Sequence, residues 1–516
     1  MKKVLILVVV AYALCSCAAK RDSGALEMRG VVLSTKELAE VDWVTLATNS
    51  GLNTIGTHIT PSEVVAFLST PEGAQFRKDC KRNGIAVEHQ LHAMGELLPR
   101  DLFEEDPSMF RMDSTGQRTP DCNCCAHSEK ALDIIAENAA KLAAILKPDN
   151  HRYYFWLDDN VPTCYCERCR EYSPSEQALI IENRMLREIR KVDSKAKLAH
   201  LAYSFYMNPP AKVKPEEGIF LEFAPIYRSW DVPLTETEAL CPRGYPVSNG
   251  DNLRWLEENL KVFPAEDAVV LEYWLDVSLF SRWKRPAVEL PWHGDVCASD
   301  LATYASYGIK NVTSFAVYID SDYFERFPST IRAIEEYGQM LGSLKTFTGL
   351  TDWWNNVTDS TIVTISKDAG RLHISFEVKD DTPVFNDSDD ERSVDFSDRV
   401  EVFLSCDPDM KCYYGFEIDP RGKVMDYKNS YYRQFDYGWN SGLVASGRPH
   451  EGGYRVDVSF TVDFLKEAGV LQEDGSFIIG LYRAEAVTPD DIRWYSLINP
   501  HTPEPDFHVP ASLFRY

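Results

Sequence analysis

Apolar runs rich in β-branched residues alternate with helical stretches from Gly30 to about Gly342. The runs are Val31–Ser34, Asn53–Ile59, Ile85–Leu91, Tyr153–Leu157, Leu198–Ser204, Ile219–Ala224, Val269–Trp274 and Val312–Ile319. Their nearly unbroken apolar character predicts strands buried on both faces. Between most of them, Lys36–Ser50, Ser62–Asn83, Glu129–Leu146, Ser175–Val192, Asp251–Val262 and Asp300–Gly308 read as helices. Eight buried strands separated by helices predict an α/β fold, a (β/α)8 TIM barrel. A doubly wound parallel sheet is the alternative that the same pattern allows. Asn83-Gly84 and Tyr307-Gly308 stand where helices should stop. Pro209, Pro210 and Pro215 replace the helix after the fifth strand, so an irregular crossover is expected there.

After Leu344 the period shortens to two. Thr361–Ile365, Leu372–Lys379, Arg399–Leu404, Tyr414–Ile418, Lys423–Tyr427, Tyr454–Thr461 and Phe477–Ala484 alternate in polarity between Asp, Gly and Pro turns. That pattern predicts an all-β sandwich domain following the barrel. At the other end, Met1-Lys2-Lys3 and the apolar run Val4–Leu14 have the charged and apolar regions of an export signal.

Composition narrows the function classes. Lys and Arg number 54 against 79 Asp and Glu, a formal net charge of −25 over 516 residues. No basic stripe is available to a phosphate backbone, so nucleic acid is excluded as a partner. Aromatic residues make up 12% of the chain, more than a core alone requires, and flat apolar rings are surfaces on which sugars stack.

Barrel enzymes place their chemistry at the C-terminal ends of strands. Those positions hold His58, Glu88, His89, His92, Asp158, Asp159, Asn160, Glu222, Glu272, Trp274, Tyr318 and Asp320. The richest is Trp156-Leu157-Asp158-Asp159-Asn160, where two adjacent carboxylates repel and one is expected to hold a proton for general acid work. Leu271-Glu272-Tyr273-Trp274 ends the seventh strand, which leaves a rival mechanism with Asp159 as acid and Glu272 as nucleophile. Glu222 is placed to bond substrate hydroxyls, or to pair with a nearby arginine such as Arg228. Trp156, Tyr203, Tyr227 and Trp274 are candidate stacking surfaces, and His58, His89, His92 and Tyr318 candidate hydroxyl partners. No His/Asp spacing points to a catalytic metal, so no cofactor is expected for catalysis.

Thirteen cysteines include Cys15 and Cys17 near the N-terminus, and six of the rest cluster in Cys122-Asn123-Cys124-Cys125 and Cys164-Tyr165-Cys166-Glu167-Arg168-Cys169. Two readings stay open: thiolates closing a structural zinc site, or disulfides between the two loops. Cys406 and Cys412 flank an expected hairpin turn and are candidates for one disulfide.

Several resemblances extend these readings. Leu14-Cys15-Ser16-Cys17 resembles a bacterial lipoprotein box, which implies a signal peptide at 1–16, lipidation at Cys17, a tether at 17–27, and the two domains at 28–345 and 346–516. Ordinary cleavage near Ala18-Ala19 is the alternative. The lipoprotein reading implies an exported protein held to the outer membrane or cell surface of a Gram-negative bacterium. The cysteine triplet resembles the zinc loop of family 42 β-galactosidases, which implies the ligand set Cys125, Cys164, Cys166 and Cys169, with Cys122 and Cys124 as substitutes for Cys125. The Asp-Asp pair resembles that of family 84 β-N-acetylglucosaminidases. By that resemblance Asp158 polarises the substrate's acetamido group and Asp159 is the acid/base.

Residues from about 28 to 345, with Trp156–Asn160, the triplet and Leu201-Ala202-Tyr203, resemble glycoside hydrolase family 163 of gut Bacteroidetes. This implies an endo-β-N-acetylglucosaminidase that cuts the GlcNAc-β-1,4-GlcNAc chitobiose core of glycoprotein N-glycans with retention. The alternatives are another glycosidase of the same barrel group and a non-catalytic surface glycan-binding lipoprotein. Asp352-Trp353-Trp354, Asp398–Leu404, Phe416–Asp419 and Phe507–Pro510 resemble the framework of a family 9-like carbohydrate-binding module, with Trp439 as its candidate stacking residue. Oligomeric state has no signal in the sequence.

Overall fold

The computed structural model describes residues 25–159, 161–354, 357–488 and 491–516. The segment expected to be an export signal, the expected lipidation site Cys17, and Asn160 lie outside the described residues. No helix among the described residues is long and apolar enough to cross a membrane.

Eight parallel strands close a barrel: β1 (Met28–Ser34), β2 (Thr54–Ile59), β3 (Ala86–His92), β4 (Arg152–Trp156), β5 (Lys197–Ala202), β6 (Ile219–Phe223), β7 (Val269–Glu272) and β8 (Asn311–Phe315). Closure is direct, with Met28 to Val32 of β1 in register with Asn311 to Phe315 of β8. A closed ring excludes the doubly wound alternative, which has two sheet edges.

Local chemistry cuts the outer helices more finely than the periodicity indicated. The expected helix over 62–83 is two, Pro61–Leu68 and Pro71–Asn83. Pro71 has no N–H with which to continue the first, and the Thr70 hydroxyl caps the second by accepting from the Gly73 N–H. Gly84 ends it in the left-handed region at φ 70°, where a side chain would be strained. Between β5 and β6 the described chain makes only a short 3-10 turn, Ser204–Tyr206, in keeping with the prolines there.

Strand alternation decides what each residue sees. From β3 and β4, Glu88 and Tyr154 meet inside the barrel, with the tyrosine hydroxyl donating to the carboxylate at 2.8 Å. Two residues further on, Trp156 Nε1 donates across the interior to Glu222 of β6 at 2.7 Å. This layer forms the floor under the C-terminal mouth.

The second domain is a sandwich of two antiparallel sheets. One runs in the order Thr351–Asp352, Asp491–Ser496, Ile478–Thr488, Arg399–Ser405, Tyr413–Ile418, Val424–Ser430, Gln434–Asp436, with Phe514–Arg515 paired to Ile478–Thr488. The other runs Ser446–His450, Gly453–Thr461, Arg371–Lys379, Ile362–Lys367, Lys345–Thr348. Inward residues such as Val363, Ile374, Phe376, Val402 and Phe416 fill the core between them. Trp439 packs on Tyr414, with centroids 4.8 Å apart, and on Phe416, as part of that packing. Cys406 and Cys412 stand at the hairpin as free thiols, joined through the Cys406 N–H to the Cys412 carbonyl at 2.9 Å.

A buried arginine docks the two domains. Arg455 of Gly453–Thr461 donates to the Ser299 carbonyl and the Thr303 hydroxyl of helix Gly294–Ser306, each at 2.9 Å. Asp457 accepts from the same guanidinium at 3.0 Å, so the charge is paired within its own strand.

Candidate active site

A cavity of about 300 Å³ opens at the C-terminal mouth of the barrel. That is the low end of small-ligand sites and suits one sugar ring. Trp156, Tyr203, Tyr273, Trp283, Phe315 and Tyr318 form much of its wall. His58 and His92 stand side by side in it, ring centroids 5.6 Å apart. Burial, and then the neighbouring His92, push His58 down to about 3, so its ring is neutral at physiological pH. Its Nδ1 donates to the Gln90 carbonyl at 2.9 Å, which leaves Nε2 as an acceptor for a hydroxyl. Ile59 and Tyr318 both line the cavity with positive φ, 120° and 76°. Such backbone costs energy and persists where the surrounding structure demands it.

Two carboxylates line this cavity, Asp159 and Asp276. Asp159 follows β4 and is exposed; the Tyr203 hydroxyl, kept protonated by burial and by this carboxylate, bonds to it. Asp276 follows β7 and caps the short helix Val277–Phe280. Its Oδ1 accepts from Ser278 N–H at 3.0 Å and Ser278 Oγ at 2.6 Å. Burial pushes the Asp276 carboxyl up to about 7 despite those bonds, so it holds a proton close to neutral pH. Sequence reasoning missed Asp276. The available signal was the alternation of β7, which puts Leu271 and Tyr273 on the cavity side and carries the chain to Asp276 at its mouth.

Asp158 is turned to the loop of residues 93–127. Its carboxylate pairs with Arg100 and accepts the Asn123 N–H at 2.6 Å, while its own N–H donates to Asn123 Oδ1 at 3.0 Å. It lines a narrow annex beside Asp159 and not the main cavity.

Several expected residues lie elsewhere, and alternation is the reason. Glu272 points out of the barrel into the helical layer, where Arg228 Nη1 holds it at 2.7 Å and the Tyr304 hydroxyl donates to it at 2.6 Å. Asp300 shares the same guanidinium at 2.8 Å. Trp274 points the same way, donating from Nε1 to Asp300 at 3.1 Å. Neither side chain lines the cavity, in contrast to the placement expected for Glu272 as a nucleophile facing Asp159. His89 is likewise outward, bonded to the Thr57 hydroxyl at 2.8 Å, and His92 holds the inward position in its place. Glu222 points inward as part of the floor, bonded to Trp156; burial raises its carboxyl well above the usual range, and its Oε1 has no partner among the described residues. Tyr227 sits at the rim against Tyr245, centroids 4.2 Å apart. Trp156, Tyr203, His58, Asp159 and Tyr318 are brought together in the cavity.

Below the rim, Cys125, Cys164, Cys166 and Cys169 gather with all sulfurs within 4.8 Å of one another. Cys125 Sγ is 3.7 Å from Cys166 Sγ and 3.8 Å from Cys169 Sγ. A tetrahedral zinc with Zn–S bonds of about 2.3 Å has S···S edges of about 3.8 Å, so the donor set fits that ion. Met112 N–H donates to Cys164 Sγ at 3.3 Å, and His127 Nδ1 lies 3.4 Å from Cys169 Sγ, contacts that suit thiolates. Cys122 is engaged by Arg111 Nε at 3.0 Å and does not join the cluster, nor does buried Cys124. All the described cysteines are free thiols. A metal here would tie the loop after β3 to the loop that carries Asp158 and Asp159.

Residues 52–247 match a family described as a domain of unknown function, DUF4838. No curated protein matches the sequence. Among solved structures, the chain is similar to a β-N-acetylhexosaminidase from Bacteroides fragilis NCTC 9343, at 11% identity over 61% of this chain and 66% of that one, with a TM-score of 0.39. It is similar to a tri-modular GH5 endo-β-1,4-glucanase from Bacillus licheniformis, at 9% identity over 91% and 77% of the two chains, TM-score 0.37. A family 9 carbohydrate-binding module from Caldicellulosiruptor kristjanssonii, in complex with cellotriose, matches at 15% identity over 32% of this chain and 79% of that one, TM-score 0.24. These structural neighbours are glycoside hydrolases and a carbohydrate-binding module.

Proposed function

We propose that the chain is a glycoside hydrolase cutting next to a β-linked N-acetylglucosamine, with the GlcNAc-β-1,4-GlcNAc core of N-glycans as substrate. One observation carries the reading: Asp159 and Asp276 line a single aromatic-walled cavity the size of one sugar ring, and burial keeps a proton on Asp276 near pH 7. The choice of N-acetylglucosamine rests on the resemblance of Trp156–Asn160 and the cysteine triplet to family 163.

In this reading Asp276 gives its proton to the glycosidic oxygen as the C1–O bond breaks. The acetamido oxygen of the same sugar attacks C1 to form an oxazolinium ion, the substrate-assisted exception to two flanking carboxylates. Asp159, set by Tyr203, accepts from the acetamido N–H and steadies the charge. Water then attacks C1 with retention, and its proton returns to Asp276. Asp158, held by Arg100 and Asn123, positions Asp159 and takes no part in the chemistry. We extend the proposal to a structural zinc on the four cysteines and to lipid anchoring of an exported protein through Cys17.

The test is mass spectrometry of a native glycoprotein after incubation with the protein. A single GlcNAc left on asparagine supports the reading, and unchanged glycans overturn it. Asp276→Asn and Asp159→Asn should each lower kcat by about 10²–10⁴-fold, the usual contribution of a positioned acid or its partner.

A further inference from the structure

Two loops beside the cavity carry exposed aromatic rings that the proposed chemistry does not use. Trp283, 55% exposed, sits on the loop after Val277–Phe280, and Tyr245, 42% exposed, on the loop between β6 and helix Asn249–Leu260. Large rings at that exposure add little to the core. Arg282 and Trp283 are consecutive left-handed residues, at φ 53° and 55°. Their strained turn is pinned by the Trp283 N–H donating to the Ser278 carbonyl at 2.7 Å. The backbone therefore holds an exposed indole at the cavity mouth, where it also lines the cavity wall.

Arg243 ties these rings together. Its guanidinium carbon lies 5.4 Å from the ring centroids of Tyr227, Tyr245 and Trp283, and 5.8 Å from that of Trp230. The group is itself anchored by Nη2 donating to the Ile226 carbonyl at 2.8 Å. Tyr227 and Tyr245 pack against each other with centroids 4.2 Å apart and ring planes tilted by 34°. One cation on several ring faces fixes aromatic side chains from two loops as a continuous surface.

We infer that Trp283, Tyr245 and Arg243 form a second saccharide subsite, a stacking platform for the sugar ring next to the one held in the cavity. The occupant follows from continuity: Trp283 belongs to both surfaces, so a chain whose one ring fills the cavity has its neighbour over the platform. Half-exposed rings held in place in advance suit a pyranose at low entropic cost. The inference rests on the glycosidase reading for the identity of the chain in the cavity, and it explains how a cavity holding one ring selects an extended glycan.

The experiment is calorimetric binding of a free N-glycan carrying both core GlcNAc residues, and of GlcNAc alone, to the full chain carrying Asp159→Asn to stop turnover. The glycan should bind tighter than GlcNAc. Adding Tyr245→Ala should weaken glycan binding about tenfold, the factor that about 1.4 kcal/mol of lost stacking gives. GlcNAc affinity should stay unchanged, and Tyr245→Phe, which keeps the ring, should restore glycan binding. Equal affinities for glycan and monosaccharide, or a glycan preference that survives Tyr245→Ala, would overturn the platform. Because this readout needs no hydrolysis, a protein that binds but never cleaves would sink the enzymatic reading and leave the platform standing.

Discussion

The buried proton on Asp276 has a cost that can be measured. The Asp276 carboxyl is shifted from 3.8 in a free chain to about 7 in the fold, chiefly by burial. Three units at 1.36 kcal/mol each come to about 4 kcal/mol. The sign follows from linkage. Well below pH 3.8 the carboxyl is protonated in both folded and unfolded chains and stability is unaffected. As pH rises past 4 the unfolded chain releases this proton and the folded one does not, so stability falls until pH 7, where the folded group ionises too. Half the penalty is present by about pH 5.4, and the whole of it by about pH 8. Asparagine copies the protonated acid, and its Oδ1 can still accept from Ser278 N–H and Oγ. Urea unfolding of Asp276→Asn and the parent, followed by tryptophan fluorescence from pH 4 to 8, isolates this one group, because the other buried acids are common to both. The two proteins should differ by less than about 1 kcal/mol at pH 4, and the variant should be the more stable by up to about 4 kcal/mol at pH 8 while losing catalysis. A stability difference that does not change with pH would refute the buried-proton assignment, and with it the role of Asp276 as acid.

Glu272→Gln should act on stability and not on the chemical step. It removes one carboxylate from the fully buried Arg228 site and should cost about 3–5 kcal/mol; a variant of parental stability with no activity would instead restore Glu272 to the mechanism. For the cysteines, elemental analysis of protein purified without added zinc should find one zinc per chain. Cys166→Ser should abolish it and lower thermal stability, whereas a metal content near zero would remove the ion from the account.

Much of the architecture was legible because the signals are local. Continuous apolar runs between helical stretches, followed by period-two segments, indicate a parallel α/β domain and then a sandwich, and the pairing of β1 with β8 decides for the barrel. The C-x-C-x-x-C spacing places three thiols on one tight loop, so the local chain itself brings together three of the four sulfurs. Capping chemistry such as Thr70-Pro71 was equally local, and it explains why one expected helix is two.

What only the tertiary structure decided is which way each strand-end side chain points. Neighbours on a strand face opposite sides, so an error of one residue exchanges cavity for helical layer. Glu272 and Tyr273 are adjacent in sequence, yet one pairs with Arg228 behind the barrel wall and the other lines the cavity. The same alternation separates His89 from His92. Asp276 lies four residues beyond the end of β7, where the strand's alternation leads the chain to the mouth without fixing which way that side chain turns, and its raised pKa comes from burial by the assembled mouth. The sequence supplied the carboxylates, the rings and the thiols; closure of the barrel determined which of the strand-end groups share one cavity, because facing and burial are properties of the packed fold and not of the chain.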